Sequence, residues 1–293
     1  MALVVTWSSG FIGAELGARA GAAPLTLLGW RFTVLAAVLL AVAVIVGAPR
    51  PSLRAWWRQA VLAGLCQVGY LFLVFEAVAR GVHGGTAALI AALQPMLVAT
   101  VAGRLLGERS TARMWLGMVL GLAGVLLVVS GDLGVADAPL WAYLLPTAGM
   151  LSLAFGTVLT RRLNPPENLF QTITMQAVVT AAILMGAALV TGRAAPPAAP
   201  DFWAAVAWLI VLASLGGYGM YVFVTRTLGA TIVSTLLYLT PPTTMLWALL
   251  MFGEPITLVA VIGLAVSAAG VVLVLHGRRN LQAEQTSRGV RRP

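Results

Sequence analysis

Residues 84–131 occur twice in this chain, and that duplication limits what it can fold into. The stretch opens Gly84-Gly85-Thr86 and runs apolar to Val101, broken by Gln94-Pro95. It continues Gly107-Glu108-Arg109-Ser110-Thr111 and turns apolar again to Gly131. A shift of 146 positions lays Pro241 on Pro95 and Gly253-Glu254 on Gly107-Glu108. The same shift lays Thr257, Gly263, Ala269-Gly270-Val271 and Gly277 on Thr111, Gly117, Ala123-Gly124-Val125 and Gly131. In the flank, Arg226 falls on Arg80. One ungapped offset accounts for every match, so the chain reads as a tandem duplication, the pattern to seek before any other.

The repeated unit is made for lipid. The chain is 60% hydrophobic and 9% charged, against roughly 25% charged in a soluble domain. It has too few charges to cover a water-facing surface. The 18 basic residues are all Arg, and all but Arg31 lie between apolar runs or at their ends. That placement sets membrane topology and argues against a nucleic-acid interface despite the net charge of +9. Cys66 is the single cysteine and lies inside an apolar run. It excludes an intrachain disulfide and any CxxC metal motif, and is read as a small packed side chain. The run before Ala18-Arg19-Ala20 has no preceding positive charge and contains Glu15, so it reads as a retained helix, not a leader.

Apolar runs fall near 2–20, 24–47, 59–80, 84–106, 112–131, 139–160, 168–191, 202–224, 229–252 and 257–276. Each approaches the roughly 20 residues that span a bilayer. The fold class expected is therefore all-α polytopic, with ten transmembrane helices. The expected units are 1–138, 139–277 and a basic, fraying tail at 278–293. Fourteen arginines lie in the even-numbered linkers and the tail; Arg19, Arg80 and Arg193 lie in odd-numbered ones. Both termini are therefore expected in the cytoplasm. Five helices is an odd offset, so the copies must cross in opposite directions, as inverted repeats of transporters do. The Pro-rich segment 192–201 is expected to form a stiff strap on one face.

Three charges interrupt spans: Glu15, Arg31 and Glu76. Such residues are costly in lipid and must be paired or face water. Glu15 and Arg31 sit at similar depth, roughly 8–10 Å from one surface at 1.5 Å per residue. Three readings remain open. A Glu15–Arg31 salt bridge fixes the first repeat; Glu15 or Glu76 binds protons or a cation; or Arg31 holds a substrate carboxylate.

Pro95 and Pro241 fall mid-span, where each removes a backbone hydrogen bond. Gln94 and Thr240 precede them and offer polar groups to the freed backbone. The prolines either kink helices for packing or open them toward a midplane cavity. Gln67 and Tyr70 share a helix face, as do Tyr218 and Tyr221. With Trp7 and Tyr238 they make an aromatic-walled pocket plausible beside ordinary packing. Phe155 is a further aromatic, in the sixth span. Gly117, Gly121, Gly124, Gly263 and Gly270 suit close helix packing, including dimer contacts. Gly84-Gly85 and Gly216-Gly217 are candidate hinges.

P-loop, HExxH and GxSxG motifs are absent from the sequence, so neither an enzyme nor a coupled ATPase is expected, and no metal or cofactor. His83 reads as a loop residue near the outer face.

Trp7-Ser8-Ser9, Arg31, and the Ala87-Ala88-Leu89-Ile90…Pro95…Gly107-Glu108-Arg109 run resemble EamA-type proteins of the drug/metabolite transporter superfamily. Pro241 with Gly253-Glu254 is similar to that family's second unit. The resemblance implies helices 1–4 and 6–9 around a central cavity, with 5 and 10 peripheral. It implies bacterial inner-membrane exporters of amino acids and other small metabolites. Copy two has no counterpart of Glu15 or Arg31, so the pocket is expected to be electrically asymmetric.

The function expected is secondary export of small metabolites, amino acids first, by alternating access. The expected lining is Trp7, Gln67, Tyr70, Gln94, Tyr218, Tyr221, Tyr238 and Thr240. The expected partners are a small-molecule substrate and the lipid bilayer, without nucleic acid, in a monomer or homodimer. Proton-coupled efflux of lipophilic cations and flipping of a lipid-linked sugar are the alternatives.

Overall fold

Apolar runs punctuated by capping residues become helices, and among the described residues no strand forms. The computed structural model describes residues 2–98, 111–133, 136–217, 219–221, 223–224 and 236–289. The helices are α1 (Ala2–Arg19), α2 (Pro24–Ile45), α3 (Leu53–Ala79), α4 (Gly84–Leu97) and α5 (Ala112–Asp132). After a 3₁₀ turn at Leu140–Tyr143 come α6 (Leu144–Leu163) and α7 (Leu169–Val190). Then α8 runs over Pro200–Trp208 and on through a π-helical stretch, Leu209–Gly217. Finally come α9 (Thr240–Phe252) and α10 (Leu258–Gly289).

Seven helices among the described residues are long and apolar enough to cross a membrane: α2, α3, α5, α6, α7, α8 and α10. The sequence predicts ten. Ser8, Ser9, Glu15 and Arg19 dilute the apolar character of α1. In α4 and α9 the described helix covers only part of its apolar run. At the C-terminus the expected fraying tail is instead helical as far as Gly289.

Repeated residues take matching local roles. Thr111 Oγ1 accepts a hydrogen bond from the Met114 amide at 3.3 Å, and Thr257 Oγ1 accepts from the Ala260 amide at 3.1 Å. Both threonines thus satisfy an orphan donor at the start of a peripheral helix. Gly253 ends α9 in the left-handed region, φ 71°, which a residue with a side chain enters at a cost.

Helices α5 and α10 pack antiparallel along a glycine seam. A methyl at Gly117 would lie 2.5 Å from the Gly270 carbonyl oxygen, and one at Gly124 would lie 2.5 Å from that of Gly263. The shift of 146 turns the first contact into the second, with the partners exchanged. Ser267, the counterpart of Gly121, donates to the Gly121 carbonyl at 3.1 Å. The seam is used within the chain, so these glycines are not free for dimer contacts. Other packings exchange the same way: α1 on α8 with α3 on α6, and α3 on α7 with α2 on α8. The pairs α2–α7 and α4–α9 map onto themselves.

The core gathers where α1, α2, α3, α7 and α8 meet, around Leu27, Leu28, Phe32, Val74, Phe75 and Phe202. The segment after α7 is tied down as a strap. Thr26 Oγ1 donates to the Arg193 carbonyl at 2.6 Å, and Trp30 Nε1 to the Ala194 carbonyl at 2.9 Å.

Candidate functional site

A cavity of about 140 Å³ opens between α1, α2, α3, α6 and α8. Trp7, Phe11, Arg31, Cys66, Gln67 and Tyr70 are among the residues around it. A second cavity of about 60 Å³ shares Trp7, Phe11, Tyr70 and Leu153, and adds Gln94, Pro95, Tyr238 and Thr240. Six of the eight lining residues read from sequence therefore surround one divided chamber. Tyr221 packs on Trp7 with ring centroids 5.8 Å apart, behind the wall. Tyr218 lies outside the described residues. Phe155 is 62% exposed and turns outward.

Backbone irregularities shape this chamber. α3 passes through a π-helical turn, Gly64–Gly69, and α8 through its own at Leu209–Gly217. The shift of 146 overlays the two. Single π turns inside α-helices recur at functional sites. Here they carry Cys66 and Gln67 on one side and Ala213 and Ser214 on the other.

The prolines differ from expectation. Neither bends a continuous helix. α4 stops at Ala91 and restarts at Gln94, and α9 starts at Thr240, so both prolines occupy the first turn of a helix. A proline there loses no hydrogen bond, because its amide would be an orphan anyway. Gln94 and Thr240 do not cover freed carbonyls: Gln94 Nε2 donates to Thr157 Oγ1 at 3.0 Å, and the Thr240 hydroxyl is buried without a partner among the described residues. The hinge glycines also differ. Gly84 and Gly85 sit inside α4, where Gly85 lets Met245 of α9 approach, and Gly216 packs against Thr6.

Of the three readings left open for these charges, the Glu15–Arg31 bridge does not form. Glu15 pairs with Arg19 one turn on, at 2.8 Å, and Glu76 pairs with Arg80 in the same spacing. Equal depth on neighbouring helices does not make side chains point at each other, whereas an i,i+4 partner is always within reach. Arg31 instead donates from Nε and Nη2 to Ser214 Oγ, at 3.3 and 3.1 Å.

The EamA-like transporter family matches the chain twice, over residues 1–130 and 140–276. The chain belongs to this family. It is 26% identical over 279 residues to "Uncharacterized inner membrane transporter YedA" of Escherichia coli, covering 94% of this chain and 89% of that protein. It is 28% identical over 282 residues to a "Probable terminal-alkyne amino-acid exporter" of Streptantibioticus cattleyicolor, covering 95% and 92%. A solved crystal structure aligns over 95% of this chain and 97% of its own with a TM-score of 0.62. At 20% identity it shows the shared fold alone.

Two polar clusters of this EamA-like transporter were not read from its sequence. From the chamber, Gln67 Nε2 donates to Gln176 Oε1 at 3.3 Å, Gln176 Nε2 to Gln59 Oε1 at 2.9 Å, and Gln59 Nε2 to Glu167 Oε2 at 3.0 Å. Arg58 closes the chain on Glu167. Burial raises the Glu167 carboxyl, but hydrogen bonds from Gln59 and Arg58 outweigh it and hold its pKa below the usual value. At the opposite end His83 pairs with Asp132, which also accepts from the Tyr143 hydroxyl at 2.8 Å. His83 is a loop residue, as its sequence position implies, and it is also part of a built cluster. Each cluster joins residues far apart in sequence, so no local pattern announces it.

Proposed function

We propose that this protein is a secondary transporter of the bacterial inner membrane that exports small metabolites, amino acids first, by alternating access. Ten helices form two oppositely oriented five-helix copies, residues 1–138 and 139–277, with both termini cytoplasmic. The two copies rock about the chamber, exposing it first to one side and then to the other. The observation that carries this reading is the chamber itself. It lies where helices of both copies meet, and aromatic rings, amides and one arginine line it. That mixture of apolar wall and few polar groups suits a small amphipathic ligand. The antiparallel α5–α10 seam and its exchanging contacts support the inverted arrangement. The S. cattleyicolor relative's printed name supports amino acids as the first class to assay. Cation efflux through Glu15 gains no support, since Glu15 is bound to Arg19 and borders neither cavity.

Uptake of labelled amino acids into everted vesicles tests the proposal. Tyr70→Ala and Tyr238→Ala are expected to lower the initial rate about tenfold, equal to ~1.4 kcal/mol, with insertion into the membrane unchanged. Wild-type rates in both variants would remove the chamber from the transport route.

A further inference from the structure

Arg31 is 6% exposed and is among the residues lining the larger of the two cavities. Among the described residues its charge has no counter-ion: it is in none of the ion pairs they form. Ser214 takes up Nε and Nη2, and its own hydroxyl proton goes to the Leu209 carbonyl at 3.1 Å. That fixes the serine lone pairs toward the arginine. Arg31 Cζ also lies 5.0 Å from the Phe32 ring centroid, a cation–π contact. Nη1 is buried with no hydrogen-bond partner among the described residues. One half of a rigid, charged donor fork is thus held in place and left unspent.

A guanidinium does not shed its proton in proteins, and a buried charge without an anion is costly. None of the residues lining either cavity is acidic. The described walls of the chamber therefore carry one net positive charge. The second copy has Ala177 where Arg31 stands, so the charge is single and off-centre.

We infer that Arg31 Nη1 is a carboxylate subsite of the chamber, so that the transported class is the small monocarboxylate and not the free cation. The inference rests on the transport reading above and gives that site its polarity. The carboxylate binds Nη1 by charge-assisted hydrogen bonds. Its carbon body lies against Phe11, Tyr70 and Trp7. An amino acid and a simple carboxylic acid share this chemistry; the amino group is no requirement of the subsite.

Cys66 supplies a readout that does not depend on transport. It is the only cysteine and lines the same cavity. Alkylation of purified protein by N-ethylmaleimide is followed with three probes: leucine, 4-methylpentanoate and leucinamide. Both carboxylates are expected to slow labelling, and leucinamide is not. Arg31→Gln is expected to raise the half-protecting concentration of 4-methylpentanoate about 10- to 100-fold, the range for losing a hydrogen bond to a charged group. Arg31→Lys, keeping the charge, is expected to lose less. Equal protection by leucinamide, unchanged protection in Arg31→Gln, or no protection of the wild type by either carboxylate overturns the inference. The wild-type panel decides it even if a variant fails to fold. Arg31-dependent protection without amino-acid flux in vesicles would sink the amino-acid reading and leave the subsite standing. Flux that carries leucinamide as well as leucine would do the reverse.

Discussion

His83 shows how much one side chain can couple at the end of the bundle remote from Arg58. Its hydrogen bond to Asp132 raises its pKa above 6.5; burial opposes this, and the charges of Asp132, Glu254 and Glu15 add to it. Tyr143 shares Asp132, so the 3₁₀ turn, α5 and the start of α4 meet at one carboxylate. Glu254, beside the cluster, is raised by burial, with His83 pulling the other way. A histidine whose folded pKa exceeds its unfolded value stabilises the fold fully below about pH 6.5, and that contribution fades as pH rises through the folded pKa. The raised Glu254 acts in the same direction at lower pH. Glu167 acts oppositely, losing its contribution only as pH falls below its unfolded pKa. Thermal melts of purified protein are therefore expected to fall between pH 6 and 9. His83→Asn is expected to lower the melt at pH 6 and flatten that slope, and an unchanged slope would show the pair to be idle. Single residues were partly legible in the sequence. Helical depth marked Arg31 as unusual, but depth along one helix says nothing of which neighbour it faces. The partner, Ser214, came from a π turn that no periodicity announces.

Helix ends and helix seams carry the second layer of information. Gln94-Pro95 and Thr240-Pro241 were visible as breakers, but not as restarts. The difference is whether the backbone turns before the proline or at it, and nearby sequence does not decide that. The glycine spacing in α5 and α10 was legible as close packing, because only a missing Cβ lets backbones meet this way. What it packs against was not, since a glycine stripe fits a second chain as well as the same one. The seam gives a direct test. At Gly270 a side chain would meet the Gly117 carbonyl at 2.5 Å and the Gly121 amide nitrogen at 2.6 Å, both backbone atoms that cannot step aside. Gly270→Leu is expected to cost about 1–3 kcal/mol, the usual range for overpacking, read as a lower unfolding midpoint in detergent. Gly186 of α7 has open space around it, and Gly186→Ala is expected to be neutral or slightly stabilising. Equal tolerance at both positions would mean that α5 and α10 separate without consequence.

For the whole molecule, the ungapped 146-residue offset carried the most and now has a geometric counterpart. Contacts that exchange partners under that offset, Gly117 with Gly270 and Gly124 with Gly263, are what a pseudo-two-fold relation produces. The helices in this seam run antiparallel, so an axis relating them lies across their length and not along it. If α5 and α10 cross the bilayer, that axis lies in the membrane plane, and each feature of copy one reappears on the opposite surface in copy two. Glu108 lies outside the described residues, but its counterpart Glu254 lies beside the His83–Asp132 cluster. We propose, from the arginine bias, that position 108 faces the cytoplasm and Glu254 the other side. Cysteines placed singly at positions 108 and 254, with Cys66 replaced by alanine, are expected to react from opposite sides. A membrane-impermeant maleimide added to whole spheroplasts should label 254, and 108 only after lysis. Labelling of both from one side would mean that the copies are parallel. The α5–α10 pair would then have to be antiparallel without spanning, and a chamber shared by inverted halves would lose its basis.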